Sequence, residues 1–267
     1  MVETFAIYRR IVGSRIRSQL QYRLSFALTV TGNVLLTSLD FAAILVLFGQ
    51  VDALGEWTVE EVALLYGISC VSFALTDIAV GQLDQLPRMI REGEFDQILV
   101  RPLGSLLQVV SADLALRHLG RLLQGLIILG VALTRVHVDW TPGRAAMPLV
   151  AIVAGVAIFA GIWVAFSSIA FWLIDSQEVS NAFTYGGSFT AQYPVNIFGR
   201  WLRRLVIFVI PLAFVSYFPA LYVLDKPDQL GLPSGLQFAS PGVAIAVAAA
   251  AWVVWTTAVR RYRSVGS

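Results

Sequence analysis

The sequence predicts an all-α membrane protein with six transmembrane helices, on three observations. Of its 267 residues, 57% are Ala, Val, Ile, Leu, Met, Phe, Trp, Tyr or Cys and only 13% are Asp, Glu, Lys or Arg, where a soluble domain carries about 25% charge. A mean hydropathy of +0.74 leaves more apolar surface than one water-soluble core buries. The apolar residues also fall in long runs, and roughly 20 such residues in a helix cross a hydrocarbon core about 30 Å thick. This composition excludes a soluble α/β enzyme and a disordered chain. With Cys70 as the sole cysteine, a disulfide scaffold is excluded too.

Taken in order, residues 1–23 read as an amphipathic helix lying in the membrane interface. Phe5, Tyr8, Val12, Ile16 and Leu20 recur at helical spacing with arginines between them. Those arginines, and the lack of a short apolar core, argue against a cleavable signal peptide. Residues 24–267 then form a single six-span domain. The first two spans are read at 24–48 and 59–80, the fourth at 148–174 and the last at 241–259. The third is read at 108–134. Its apolar part, Leu122 to Leu133, is too short to cross, so the helix has to start near Gln108 and include Asp113, Arg117 and Arg121 on one face. Arginines near a helix end reach the interface by snorkelling. In the fourth span the pairs Ala151/Gly155 and Ala157/Gly161 suit close helix packing in lipid.

The fifth span has two readings. Hydropathy selects 205–224, which carries no charge. The alternative is 176–193, more polar, in which Asn181, Thr184, Ser188 and Gln192 make one helical stripe. Both leave the two termini on the same side. Basic residues concentrate in cytoplasmic loops, and on the hydropathy reading every arginine but Arg135 and Arg144 falls on the side of the termini. The alternative moves Arg200, Arg203 and Arg204 outward without reversing the balance. The chain is therefore expected as a multi-pass protein of the cell (inner) membrane with both termini cytoplasmic.

Residues able to carry chemistry are few. The only lysine, Lys226, sits in Asp-Lys-Pro-Asp, so no phosphate-binding GxxxxGK[ST] loop exists here. The basic residues are dispersed and leave no nucleic-acid footprint. His118 and His137 fall on opposite sides of a span, which leaves no metal cluster. Asp40 and Asp77 are acids inside spans, each costly against lipid. Asp40 ends a stripe Ser25, Thr29, Asn33, Thr37, Asp40 on one face of the first helix, either the wall of a polar path or a hydrogen-bonded seam. Asp77, within about a turn of the inner surface, reads as a headgroup-level contact. Neither has a protease motif around it.

The most unusual polar segment is 82–108, QLDQLPRMIREGEFDQILVRPLGSLLQ, which mixes Arg88, Arg91, Glu92, Glu94, Asp96 and Arg101 with apolar residues. Pro87 suits the start of a short helix and Pro102 stops it. Such an element suits the grip of a partner subunit. Within it, Arg91 to Leu103 (REGEFDQILVRPL) resembles the cytoplasmic signature of ABC-2 family permeases, in the branch of small six-span exporter subunits. Residues 193–204 (YPVNIFGRWLRR), 209–220 (VIPLAFVSYFPA) and the ending from Arg260 are similar to the same family.

The resemblance implies an exporter whose permease and ATPase are separate chains. It implies an interfacial helix before the first span, a cytoplasmic coupling helix at about Pro87 to Val100, and an extracellular re-entrant hairpin before the last span. The hairpin would take 205–224 and leave 176–193 as the fifth span. The expected ATPase-coupling residues are Pro87, Arg88, Arg91, Glu92, Glu94, Phe95, Asp96 and Arg101. The expected substrate path is Thr29, Asn33, Thr37 and Asp40 with Asn181, Thr184, Ser188 and Gln192, the last four facing a wet cavity between subunits. The partners would be cytosolic P-loop ATPases carrying ATP and Mg, a second permease, identical or a sister chain, and the lipid bilayer. This chain would have no catalysis of its own. Two other classes fit the composition: an ion-coupled secondary transporter using Asp40 or Asp77, and a non-transporting structural membrane protein.

Overall fold

Helices account for nearly all of the regular structure in the computed structural model, which describes residues 23–51, 53–112, 118–173 and 176–263. No strand occurs among the described residues. The expected interfacial helix, up to residue 22, and Asp113 and Arg117 lie outside them.

α1, Arg23–Phe48, and α2, Val59–Val80, match the first two predicted spans. α2 starts where Thr58 and Glu61 form a capping box: the Thr58 amide donates to Glu61 Oε2 at 2.8 Å, and the Glu61 amide donates to Thr58 Oγ1 at 3.5 Å. This satisfies two backbone donors that a helix start leaves open. A 3-10 turn at Gly81–Gln85 leads into two short helices, α3 at Leu86–Arg91 and α4 at Glu94–Leu99. The sequence predicts one helix here. The chain breaks it at Gly93, whose φ of 71° is left-handed, a conformation open to glycine without the side-chain clash other residues meet.

α5, Ser105–Val110, ends at Ser111, and α6, Leu119–Arg135, begins eight residues later. The expected continuous helix from Gln108 is therefore interrupted. Gln108 and Ser111 are engaged locally: the Gln108 amide donates to the Ile98 and Leu103 carbonyls at 3.0 and 2.7 Å, and the Ser111 hydroxyl to Leu107 O at 2.6 Å.

α7, Pro142–Ser167, is capped by Thr141 and starts earlier than hydropathy suggests because Pro142 fits a first helical position. A 3-10 turn extends it to Phe171. α8, Gln177–Thr190, has 14 residues, a rise of about 21 Å. After it, α9 (Arg200–Arg204) runs into a π turn at Leu205–Val209. α10 (Tyr217–Val223) then follows a 3-10 turn at Leu212–Phe214. The two arms, Arg200–Val209 and Leu212–Val223, meet at 71°. α11, Ser240–Arg261, closes the chain.

Four runs are long and apolar enough to cross a bilayer: Val30–Phe48, Val59–Arg91, Pro142–Phe171 and Ser240–Arg261. The bent pair makes a fifth if it is one span. Across the bundle the order is α1, α6, α2, α7, α11, with α8 against α7. α2 is the axis and is buried almost throughout. Two predicted small residues make the close approaches expected of them. A Cβ on Gly155 would stand 2.7 Å from Ser72 Oγ of α2, and one on Gly161 would stand 2.6 Å from Val247 Cγ1 of α11. Beside Gly155, Ser72 and Thr76 hydroxyls reach the Ile152 and Val156 carbonyls at 3.4 and 3.2 Å, a polar seam between α2 and α7.

Candidate coupling surface and polar interior

α3 and α4 are two-faced. Leu86, Pro87, Met89, Ile90 and Phe95 are buried, while Arg88, Arg91, Glu92, Glu94 and Arg101 are exposed. Arg88 pairs with Glu92 at 2.9 Å one turn on. Among these charges Leu99 and Val100 are exposed apolar residues, Val100 at 83%. Phe95, expected on the coupling face, points inward with no exposure. Its ring meets Phe171 at 5.0 Å, Tyr262 at 5.2 Å and Trp255 at 6.5 Å. The short element is thus anchored on the ends of α7 and α11. Asp96, half-buried, lies beside Tyr262, whose hydroxyl is pushed up to about 12 by burial first and by the Asp96 carboxylate second. That hydroxyl stays protonated across physiological pH.

Directly above this element lies a cluster that sequence reasoning missed. Asp84, in the 3-10 turn between α2 and α3, accepts from Trp163 Nε1 at 2.8 Å and from the Tyr185 hydroxyl at 3.0 Å. One carboxylate thereby ties that turn to α7 and α8. Phe73 stacks on Trp163 at 5.4 Å, and the Arg121 guanidinium lies over the Phe73 ring, 5.0 Å from its centroid. Arg121 was expected to snorkel; it is drawn into the bundle. Asp77 does not reach a headgroup either. It is 2% exposed, and His118 Nδ1 stands 3.0 Å from its Oδ2. The available signal was an acid near the end of one apolar run and a histidine at the start of another.

The two polar stripes differ in fate. On α1, Thr37 is buried, and its carbonyl accepts from Gln124 Nε2 of α6 at 2.7 Å. Asn33 and Asp40 are half-buried, and Asp40 lies within electrostatic reach of Arg121 and Tyr66. Thr29 is on the same helix, but its side chain lies outside the described residues. Thr184 and Ser188 on α8, and Gln192 in the turn just after it, are buried inside the subunit, where wet-cavity exposure was expected; Asn181 is half-buried. Ser69 Oγ of α2 donates to Ser188 O at 3.4 Å, and the Thr184 hydroxyl turns back to Ser180 O at 3.0 Å. Within one subunit this stripe is a packing seam.

The end opposite α3 and α4 is closed by a second polar group. Asn196, ahead of the bent pair, donates to Gly55 O at 3.0 Å. Lys226, just after the pair, reaches Glu61 Oε2 at 2.6 Å and Glu56 O at 2.8 Å. Both ends of the bent pair are thus held by the single connection between α1 and α2. Its elbow, Val209 to Pro211, lies near Gly161 of α7 and Val247 of α11. Arg144 pairs with Asp225 at 2.7 Å on the same side.

The bundle thus carries a two-faced charged element at one end and a helix pair bent by 71° toward the other. A sequence model described as ABC-2 family transporter protein matches residues 34–266. The chain belongs to the ABC-2 transporter family. No curated protein and no solved structure matches it. The ABC-2 match spans α3 and α4, the α8 stripe, the bent pair, and Thr37 and Asp40 of the α1 stripe, while Thr29 and Asn33 precede it.

Proposed function

We propose that this chain is the permease subunit of an ABC-2 type exporter in the inner membrane. Two permeases, identical or sister chains, form the substrate path, and separate cytosolic P-loop ATPases drive it. ATP and its magnesium belong to those partners. The observation that carries the reading is the α3–α4 element: mixed charge and two exposed apolar residues, held on the bundle by a buried aromatic anchor, in an ABC-2 family chain that lacks a P-loop lysine. Arg88, Arg91, Glu92, Glu94 and Arg101 make the contact, Pro87 and Phe95 position it, and Asp96 steadies it through Tyr262.

In this reading the α3–α4 end is cytoplasmic, in keeping with the arginines gathered there and at the end of α11. The bent pair is the extracellular re-entrant hairpin, and the spans are α1, α2, α6, α7, α8 and α11. Support for the hairpin comes from its ends. Both bond the same connection, whereas the ends of a single crossing lie about 30 Å apart. The path follows the α1 face of Asn33 and Asp40, and the Thr184, Ser188 and Gln192 seam holds α8 to α2 as the subunits rock.

Two experiments test the reading. The permease, solubilised from native membranes, should retain a P-loop ATPase. Glu94→Arg, an exposed change, should weaken that retention about tenfold, equivalent to roughly 1.4 kcal/mol, without lowering permease yield. Unchanged retention removes the coupling assignment. Separately, Arg204→Cys in a Cys70→Ala background should react with an impermeant maleimide added from outside. Reaction from the cytoplasmic side alone overturns the hairpin.

A further inference from the structure

Beside the α5 start, a cleft of about 460 Å³ opens between α5 and the last two turns of α11. Its walls are apolar, including Val80, Leu106, Leu107, Val110 and Val259. Its rim is polar and basic: Ser105, Thr256 and Arg260. No carboxylate lines it, and Arg260 has no ion-pair partner among the described residues.

We propose that this cleft binds one phospholipid with an anionic headgroup, its phosphate at Arg260 and an acyl chain along the Leu107–Trp252 wall. Three observations on the two helices carry the inference. The first is depth. α11 has 22 residues, a rise of about 33 Å, so its last turn stands at the level of lipid headgroups while Trp252, two turns back, stands among acyl chains. The second is the arrangement along that depth. Trp252 is 59% exposed on the apolar stretch, and the hydroxyls and the guanidinium lie at the interfacial end, the order of polarity of a phospholipid itself. The Trp255 indole donates to Ser105 Oγ at 3.3 Å, which fixes the α5 rim against α11. The third is charge. A basic pocket between helices at the membrane face selects anionic headgroups, and Arg260 stands beside Arg261 and Arg263 in sequence. The same charge argues against residues 1–22 as occupant, since they carry four arginines and one glutamate. The inference needs only the membrane setting, and it stands or falls independently of ATPase coupling.

The test uses the full chain in nanodiscs. Phosphatidylglycerol bearing a photoreactive acyl chain, diluted into phosphatidylcholine, should label peptides from α5 and α11, several-fold above the same probe on phosphatidylcholine. Arg260→Ala should remove that preference and Arg260→Lys should keep most of it. Leu107→Trp, which fills the wall and leaves the cation, should reduce labelling with either headgroup. Inorganic phosphate in millimolar excess should not compete. Equal labelling by the two lipids, indifference to Arg260→Ala, competition by phosphate, or cross-links from this cleft to residues 1–22 or to a partner protein would each overturn the proposal.

Discussion

Asp84→Ala is expected to lower the stability of the detergent-solubilised protein by about 2–6 kcal/mol, because it strands two donors at once. Trp163 Nε1 and the Tyr185 hydroxyl both end on that carboxylate, at 2.8 and 3.0 Å, and Trp163 is completely buried. A buried donor without its acceptor costs about 1–3 kcal/mol, and the Trp163 ring is stacked on Phe73 at 5.4 Å. Asp84→Asn keeps one oxygen as an acceptor and should fall between. Tyr185→Phe removes one of the two donors, so the alanine change on that background should cost less than on the natural chain. Denaturation midpoints for the four proteins in one mixed micelle give the coupling directly. A midpoint for Asp84→Ala equal to that of the natural chain would mean that the carboxylate does not hold the turn to α7 and α8.

Asp84 also shows where reading the sequence stopped. The ends of α1 and α2 were legible because each coincides with a long apolar run. Ala151/Gly155 and Ala157/Gly161 were legible as packing residues because small side chains at that spacing have one use in lipid. Trp163 was not. In an apolar run it reads as another membrane residue, and nothing local says that its N–H bonds a carboxylate 79 residues away. The choice between 205–224 and 176–193 was ambiguous for a related reason. Hydropathy measures preference for an apolar medium, and a segment buried inside the protein satisfies it as well as one facing lipid. In 205–224, Val206, Ile207 and Phe214 are buried by their own chain while Phe208 and Val209 are exposed. For the same reason the α8 stripe suggested water where the fold supplies Ser69 and the chain's own carbonyls. The α3–α4 segment was singled out by its charges, but charge says nothing of which side faces in. Phe95, read with its exposed neighbours, is the residue whose side was wrong, and the break at Gly93 turns it inward.

Phe95→Ala should therefore act twice. Truncating a fully buried phenylalanine costs about 3–5 kcal/mol, and this one has Phe171, Trp255 and Tyr262 around its ring, so thermal unfolding in detergent should shift well below that of the natural chain. The second effect separates an anchor from a contact. α4 has six residues and no stability of its own. Without the Phe95 ring its exposed Glu94 and the neighbouring Arg101 lose their fixed positions, and ATPase retention should drop even at temperatures where the bundle stays folded. Phe171→Ala removes the same anchor from the side of α7 and should reproduce both losses, although Phe171 belongs to no charged face. Phe95→Leu keeps most of the apolar volume and should recover most of the stability and the retention. If Phe95→Ala abolished retention while Phe171→Ala left it intact at matched stability, the ring would be touching the ATPase itself, and inward-facing anchor would be the wrong description of Phe95.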